Sequence, residues 1–187
     1  MPENQLHPIY LADYEPPPFL IESVDLTFDL DPIRTRVTVK SIVTRNPKSS
    51  DTTHSLSLDG DGLVLGRVLI DGQSVPQSRV ELKDDKLIID QVNDRFELVI
   101  STDLNPTEND ALEGLYMTNG RFCTQCEAEG FRRITYFIDR PDVLSRYCVE
   151  LRAEREKYPV LLSNGNLIDK GSLDDGRHYC IWDDPFP

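Results

Sequence analysis

Alternation of apolar and polar residues, broken every few positions by turn chemistry, most constrains what this chain can fold into. Leu20, Val24, Leu26, Phe28 and Leu30 are apolar, and Ser23, Asp25, Thr27 and Asp29 between them are polar. Successive side chains on a strand point to opposite faces, so a period of two marks a strand with one buried face. Asp31-Pro32 ends the run as a turn. The pattern resumes with Val37, Val39 and Val43 on one face and Arg36, Thr38 and Lys40 on the other, and closes at Asn46-Pro47. Short apolar runs follow at 56–58, 63–65, 68–70, 87–89 and 96–100, separated by Asp59-Gly60-Asp61-Gly62, Asp71-Gly72 and Asn93-Asp94. Glycine, aspartate and asparagine are the residues that tight turns accept most readily. Strands this short and this closely spaced predict an all-β sandwich of mixed or antiparallel sheets with little helix.

Before Asp139 no segment carries a helical period. Residues 139–144 predict one short helical turn, capped by Asp139 with Pro141 in its first turn. Residues 147–153, 159–162 and 179–182 predict further strands, with a turn at Asn164-Gly165-Asn166. Residues 1–18 end in Pro16-Pro17-Pro18 and read as an extended arm ahead of an all-β domain over 19–187. Asp183-Asp184-Pro185-Phe186-Pro187 reads as a connection, so the expectation is a chain that stops before a following domain.

Charge narrows the partners. The chain has 20 basic against 33 acidic residues, a net charge of −13. Such a surface repels phosphate backbones and anionic headgroups, which argues against nucleic acid and membrane-surface binding. Acidic pairs such as Asp84-Asp85 and Asp174-Asp175 are scattered and read as solvated surface. No apolar run reaches the length of a membrane span. The first residues lack the basic and apolar regions of a secretory signal. The expected compartment is the cytoplasm, with the four cysteines reduced.

Chemistry-bearing residues concentrate in Cys123-Thr124-Gln125-Cys126-Glu127-Ala128-Glu129. A redox reading of the CxxC needs a βαβ setting, which the pattern lacks. A zinc reading needs a second pair of ligands at matching spacing. Cys148 and Cys180 lie far apart, and His7, His54 and His178 are scattered, so Cys123 and Cys126 read as structural thiols. Glu127 and Glu129 would share one side of a strand, about 6–7 Å apart. That separation could suit a glycosidase carboxylate pair, but such pairs flank the substrate and come from separate elements. Asp59-Gly60-Asp61-Gly62 opens like a calcium loop, yet the fifth and twelfth positions are Leu63 and Ile70, so it reads as a plain turn. HExxH, GxSxG, a phosphate-binding glycine loop and a dinucleotide fingerprint are all missing. On its residues alone the chain is an acidic all-β domain without a complete active site.

Several segments in order resemble one family. They are Leu112-Glu113-Gly114-Leu115-Tyr116, Cys123-Thr124-Gln125-Cys126-Glu127-Ala128-Glu129-Gly130-Phe131-Arg132-Arg133-Ile134-Thr135-Tyr136 and Asp139-Arg140-Pro141-Asp142-Val143-Leu144. Tyr158-Pro159-Val160-Leu161-Leu162-Ser163-Asn164-Gly165-Asn166, Gly176-Arg177-His178 and Trp182-Asp183-Asp184-Pro185-Phe186-Pro187 continue the series. Together they resemble the N-terminal domain of the bacterial aminopeptidase N family, the alanyl aminopeptidase branch of the HExxH zinc exopeptidases. The likeness runs from about Pro18 to Pro187 and is dense from Leu112 onward.

The resemblance implies a saddle-shaped all-β sandwich followed by a thermolysin-like catalytic domain. It implies hydrolysis of the first peptide bond of peptides with a free N-terminus. The Zn2+ of the full-length enzyme, its HExxH and the GxMEN motif would all follow Pro187, with no metal site and no catalytic residue in this chain. A further apolar strand would also follow. The family's Gln-x-Glu falls on Gln125 and Glu127, which the resemblance makes substrate-binding residues facing the α-amino group. It assigns no role to Glu129 and leaves Cys123 and Cys126 structural. The implied partners are peptide substrates and the enzyme's own catalytic domain. Two alternatives stand beside it: a free-standing all-β binding module without catalytic activity, and a small metal- or redox-active CxxC protein.

Overall fold

The computed structural model describes residues 10–187. Strand β1 (Phe19–Asp29) pairs antiparallel with β2 (Thr35–Arg45), as the alternation predicts. The pairing slips between Ile21 and Ser23, leaving Glu22 as an extra residue. Such a bulge reverses the phase of the strand. Phe19 and Ile21 are buried before it, and Val24, Leu26, Phe28 and Leu30 after it. Leu20, assigned by sequence to the same face as Val24, is therefore half-buried on the other side. On β2 the expected face holds, with Val37, Val39 and Val43 buried. At the turn between them, the Asp31 carboxylate accepts the N–H groups of Ile33 and Arg34 at 2.9 Å each.

Three more strands come before the next long one: β3 (Ser55–Asp59), β4 (Val64–Ile70) and the two-residue β5 (Gln73–Ser74). Then β6 (Val80–Lys83), β7 (Lys86–Asp90) and β8 (Arg95–Leu104) follow. The last five are β9 (Gly114–Thr118), β10 (Arg121–Gln125), β11 (Arg146–Glu154), β12 (Asn166–Ser172) and β13 (Arg177–Asp184). They form an eight-stranded sheet in the order β12-β13-β11-β1-β2-β8-β4-β5, a three-stranded sheet β3-β7-β6 and the β9-β10 hairpin. The large sheet is mixed, because β1 and β11 run parallel, with Val24 opposite Tyr147 and Phe28 opposite Leu151. Leu56 and Leu58 of β3 and Leu87 and Ile89 of β7 join Phe19, Val43 and Ile100 of the large sheet in one core. The chain is all-β, as expected. Among the described residues the only helical pieces are three-residue 3₁₀ turns, and no helix is long and apolar enough to cross a membrane.

Two local expectations fail. Residues 139–144 form no helix; a single turn places the Val143 N–H 3.1 Å from the Arg140 carbonyl. Asp139 cannot act as a cap there, because its carboxylate accepts the backbone N–H and the Nε–H of Arg132. Residues 159–162 form no strand, and of the four only Leu161 is buried. Leu161 is buried between exposed Val160 and Leu162, with no neighbouring strand to pair with. Of the expected N-terminal arm, residues 1–9 lie outside the described residues. The rest has a 3₁₀ turn at Leu11–Asp13 and then runs extended. It lies against residues 140–142: the Tyr14 hydroxyl donates to Asp142 at 2.8 Å, and Arg140 donates to the Glu15 carbonyl at 3.0 Å.

Candidate functional site

The β9–β10 hairpin closes through Asn119-Gly120, both at positive φ (48° and 74°), the backbone that a two-residue hairpin of this twist requires. Its register sets Gln125, the last residue of β10, opposite Gly114. The chain leaves the sheet at Cys126 and turns back over residues 127–130. The Gly130 N–H donates to the Cys126 carbonyl at 2.9 Å. A 3₁₀ turn, Phe131–Arg133, follows at once. Gln125, Glu127 and Glu129 all project into solvent.

The structure brings Gln125 and Glu127 together. The Gln125 side-chain Nε2 donates to the Glu127 carbonyl at 3.2 Å. That bond orients the amide and leaves its Oε1 available as an acceptor. The Glu127 carboxylate takes no hydrogen bond or ion pair among the described residues. The peptide between Glu127 and Ala128 is cis. Glu129 differs: its Oε2 lies 3.3 Å from Arg132 Nη2. The two glutamates therefore do not share one side of a strand, as their spacing alone suggested. They follow the strand, in a turn, with different surroundings.

Beneath the turn the packing is tight. A Cβ on Gly130 would stand 2.6 Å from the Gln125 carbonyl oxygen and 3.0 Å from the Cys126 Cα, so no side chain fits there. Burial, with a lesser contribution from Asp139, pushes the Cys126 thiol up to about 11. A thiol held neutral this way is neither a ready nucleophile nor a ready metal ligand. Phe131 meets the edge of Phe137 at 4.8 Å and of Tyr147 at 5.9 Å. Burial pushes the Tyr147 phenol up to about 12. Ile134, Phe137 and Ile138 carry the segment onto the main core.

Charged groups then fasten it to the Asp59-Gly60-Asp61-Gly62 turn. Asp59 accepts Lys86 Nζ at 2.6 Å and the Asp139 N–H at 3.3 Å, and its backbone pairs with Phe137. The Asp61 N–H donates to the Arg132 carbonyl at 3.0 Å, and its carboxylate meets Arg133 at 2.6 Å. Sequence reading did not single out Arg132, Arg133 or Asp139 as builders of the turn. The one signal was a pair of arginines beside an acidic run, and their partners are set by how the loops fold over one another.

The remaining sequence candidates do not gather here. Cys148 and Cys180 lie on β11 and β13, and all four cysteines are free. His54 Nδ1 contacts the Val92 carbonyl, and His178 Nε2 contacts that of Tyr158. His7 lies outside the described residues. Among the described residues, no three His, Cys, Asp or Glu side chains group to hold a metal ion. A groove of about 520 Å3 opens between residues 159–162 and β12–β13, lined by Leu161, Leu167 and Trp182. No residue of the Gln125 turn lines it; Arg155, Lys170 and His178 stand on its walls and no carboxylate does, so the acceptors for a cation are those of the turn.

Comparison with known proteins gives a consistent set of relatives. The family model of the peptidase M1 N-terminal domain matches residues 14–187. Aminopeptidase N of Caulobacter vibrioides is 50% identical over 179 residues, covering 96% of this chain and 20% of that protein. The crystal structure of Legionella pneumophila aminopeptidase A in complex with aspartic acid is 35% identical, with a TM-score of 0.88. The match covers 95% of this chain and 21% of that one. The M1 zinc metallopeptidase from Deinococcus radiodurans shares the fold at a TM-score of 0.73 and 14% identity, over 91% of this chain and 40% of that one. The chain spans about a fifth of the length of the curated relatives it matches.

Proposed function

The chain belongs to the peptidase M1 N-terminal domain family, and from that premise we propose that it is the substrate-recognition domain of a zinc aminopeptidase that removes single residues from peptides. In this reading Gln125 and Glu127 hold the substrate's α-amino group. The observation that carries it is the contrast within one turn. An unpaired Glu127 carboxylate stands beside an amide already oriented by its own hydrogen bond to Glu127.

An α-amino group titrates at about 7.7–8.0, so near neutral pH it is largely a cation with three N–H donors. A carboxylate and an amide oxygen are a fitting pair of acceptors, and bonds from a charged donor to a charged acceptor are the stronger kind. Holding that ammonium measures the substrate, since only a bond one residue from the free end is then presented for cleavage. Burying the ion pair would strengthen it further. Closure would come from the catalytic domain, the partner proposed to cover this turn.

The zinc would supply a Lewis acid for the scissile carbonyl. The side chains described here do not group into a ligand set for it, so its ligands are assigned to the remainder of the parent enzyme. This chain's task is to bind and orient the amine. Residues 1–18 would be an arm, and 19–187 the domain proper. The strongly acidic surface and four free cysteines suit work in the cytoplasm on peptides rather than on nucleic acid.

The test is made on the whole enzyme, with matched peptides bearing a free or an acetylated N-terminus. Release of single residues from the free peptides alone, lost on chelation and restored by zinc, is the expected result. Equal cleavage of the acetylated peptides would show that the amine is not read.

A further inference from the structure

Two glutamates leave the same turn with different fates, and the difference has a mechanical cause. Arg132 is fixed to Asp139 by three bonds. Its backbone N–H and its Nε–H donate to Asp139 Oδ2 at 3.1 and 3.0 Å, and its Nη2 donates to the Asp139 carbonyl at 3.0 Å. Asp139 is itself nearly buried, with 10% of its side chain exposed, and its N–H is held by Asp59. The Arg132 carbonyl accepts the Asp61 N–H. Arg132 is thus a post set between three segments. Its one remaining ion pair reaches out to Glu129, 64% exposed, at 3.3 Å.

An exposed pair of this kind does little for the stability of a fold. It can still decide how a turn with few other ties stands. Residues 126–130 are otherwise held by the Gly130-to-Cys126 backbone bond, by the Arg133 N–H on the Gly130 carbonyl and by the Gln125-to-Glu127 bond. The Arg132–Glu129 pair adds a fourth tie, the one made by a side chain on the far side of Glu127. It also neutralises the only other carboxylate in the turn, so that one negative charge remains to attract a cation.

We propose that Glu129 and Arg132 are positioning residues for Glu127, setting where its carboxylate stands and keeping Glu129 from competing for the substrate's ammonium. This rests on the reading of Glu127 given above and adds a role for its neighbours. Neither residue need touch the substrate.

A double-mutant cycle in the whole enzyme tests it, with Glu129→Gln, Glu127→Gln and the two combined. Glu129 is the position to change, because its exposure leaves folding intact, whereas Arg132 variants could unfold the segment. Glu129→Gln is expected to raise KM for free-amine substrates about two- to fivefold, the scale of an exposed ion pair. It should leave kcat within twofold and the melting temperature unchanged. Added to Glu127→Gln, it should do almost nothing further, since coupled residues are not additive. An unchanged KM in Glu129→Gln, with Glu127→Gln impaired, overturns the positioning role alone. Full additivity of the two also overturns it, because Glu129 would then act independently. If Glu127→Gln itself leaves catalytic efficiency intact, the amine-binding reading falls and this inference with it.

Discussion

In β1 and β2 the buried side chains repeat with period two on either side of the one bulge at Glu22, and the backbones pair along almost their whole length, from Phe19 opposite Arg45 to Asp29 opposite Arg36. Between Gln125 and Asp139 the same chain has no strand of its own. Ile134, Phe137 and Ile138 join the main core, but the turn ahead of them is seated by a few particular contacts: a glycine with no room for a Cβ, a thiol driven neutral by burial, and an arginine fixed at three atoms. The sheet is specified redundantly, so that each residue restates the same face. The turn is specified once at each point. Damage to the first should therefore register mainly as lost stability, and damage to the second as a loss of function that exceeds its loss of stability.

The largest effect belongs to the shared core. Leu58 on β3 is 1% exposed, and Leu58→Ala should cost about 2–5 kcal/mol in denaturant unfolding, from lost burial and the cavity left behind. A smaller loss would mean that the three-stranded sheet is not part of the common core. Next comes Gly130→Ala. Its methyl group must displace the Gln125 carbonyl or the Cys126 backbone, at a cost of about 1–3 kcal/mol. Activity of the whole enzyme should fall further than that, because the moved atoms carry Gln125 and Glu127. An activity loss no larger than the stability loss, as in a core variant, would erase the distinction between the two regions.

A subtler difference is in acid. Asp103 on β8 is held down to about 2, first by its hydrogen bond from Arg36 and then by Arg34 on the neighbouring segment. A carboxyl whose value is depressed on folding adds stability above its unfolded value, about 4, and that stability is lost as the pH falls toward 2. Asp103→Asn should therefore lower stability at neutral pH and flatten the acid limb between about pH 4 and 2, so that variant and parent converge near pH 2. An identical acid limb in the variant would remove Asp103 from the ledger of the sheet.

Legibility from sequence follows the same division. β1, β2, β3, β7 and β8 could be read because one face is buried along each. Even the bulge at Glu22 left a trace in the shift from Phe19 and Ile21 to Val24 and Leu26. β12 could not be read: its residues are almost all exposed at a sheet edge, so there is no period to find. The parallel pairing of β1 with β11 joins residues some 120 positions apart, as Ser23 with Arg146, and leaves no local signal. Residues 159–162 had an apolar run but no strand partner, and Asp139 had the look of a helix cap but spends its carboxylate on Arg132. At the site, residue chemistry alone flagged a cluster of thiols and carboxylates. It was the resemblance to a known family that singled out Gln125 and Glu127, and the fold then separated Glu127 from Glu129. The supporting Arg132 and Asp139 became visible only when the loops were laid over one another.

The smallest effect on stability and the most direct test of function meet in one variant. Glu127→Gln in the whole enzyme keeps the shape and an acceptor oxygen and removes the charge. Its carboxylate supports no other group described here, so the melting temperature should stay where it is. If Glu127 holds the substrate's ammonium, the change costs about 1.5–3 kcal/mol, the scale of a hydrogen bond to a charged group. Catalytic efficiency on free-amine substrates should then fall about ten- to hundredfold. An unchanged kcat/KM, or a lowered melting temperature with efficiency intact, would contradict the account and make Glu127 part of the scaffold.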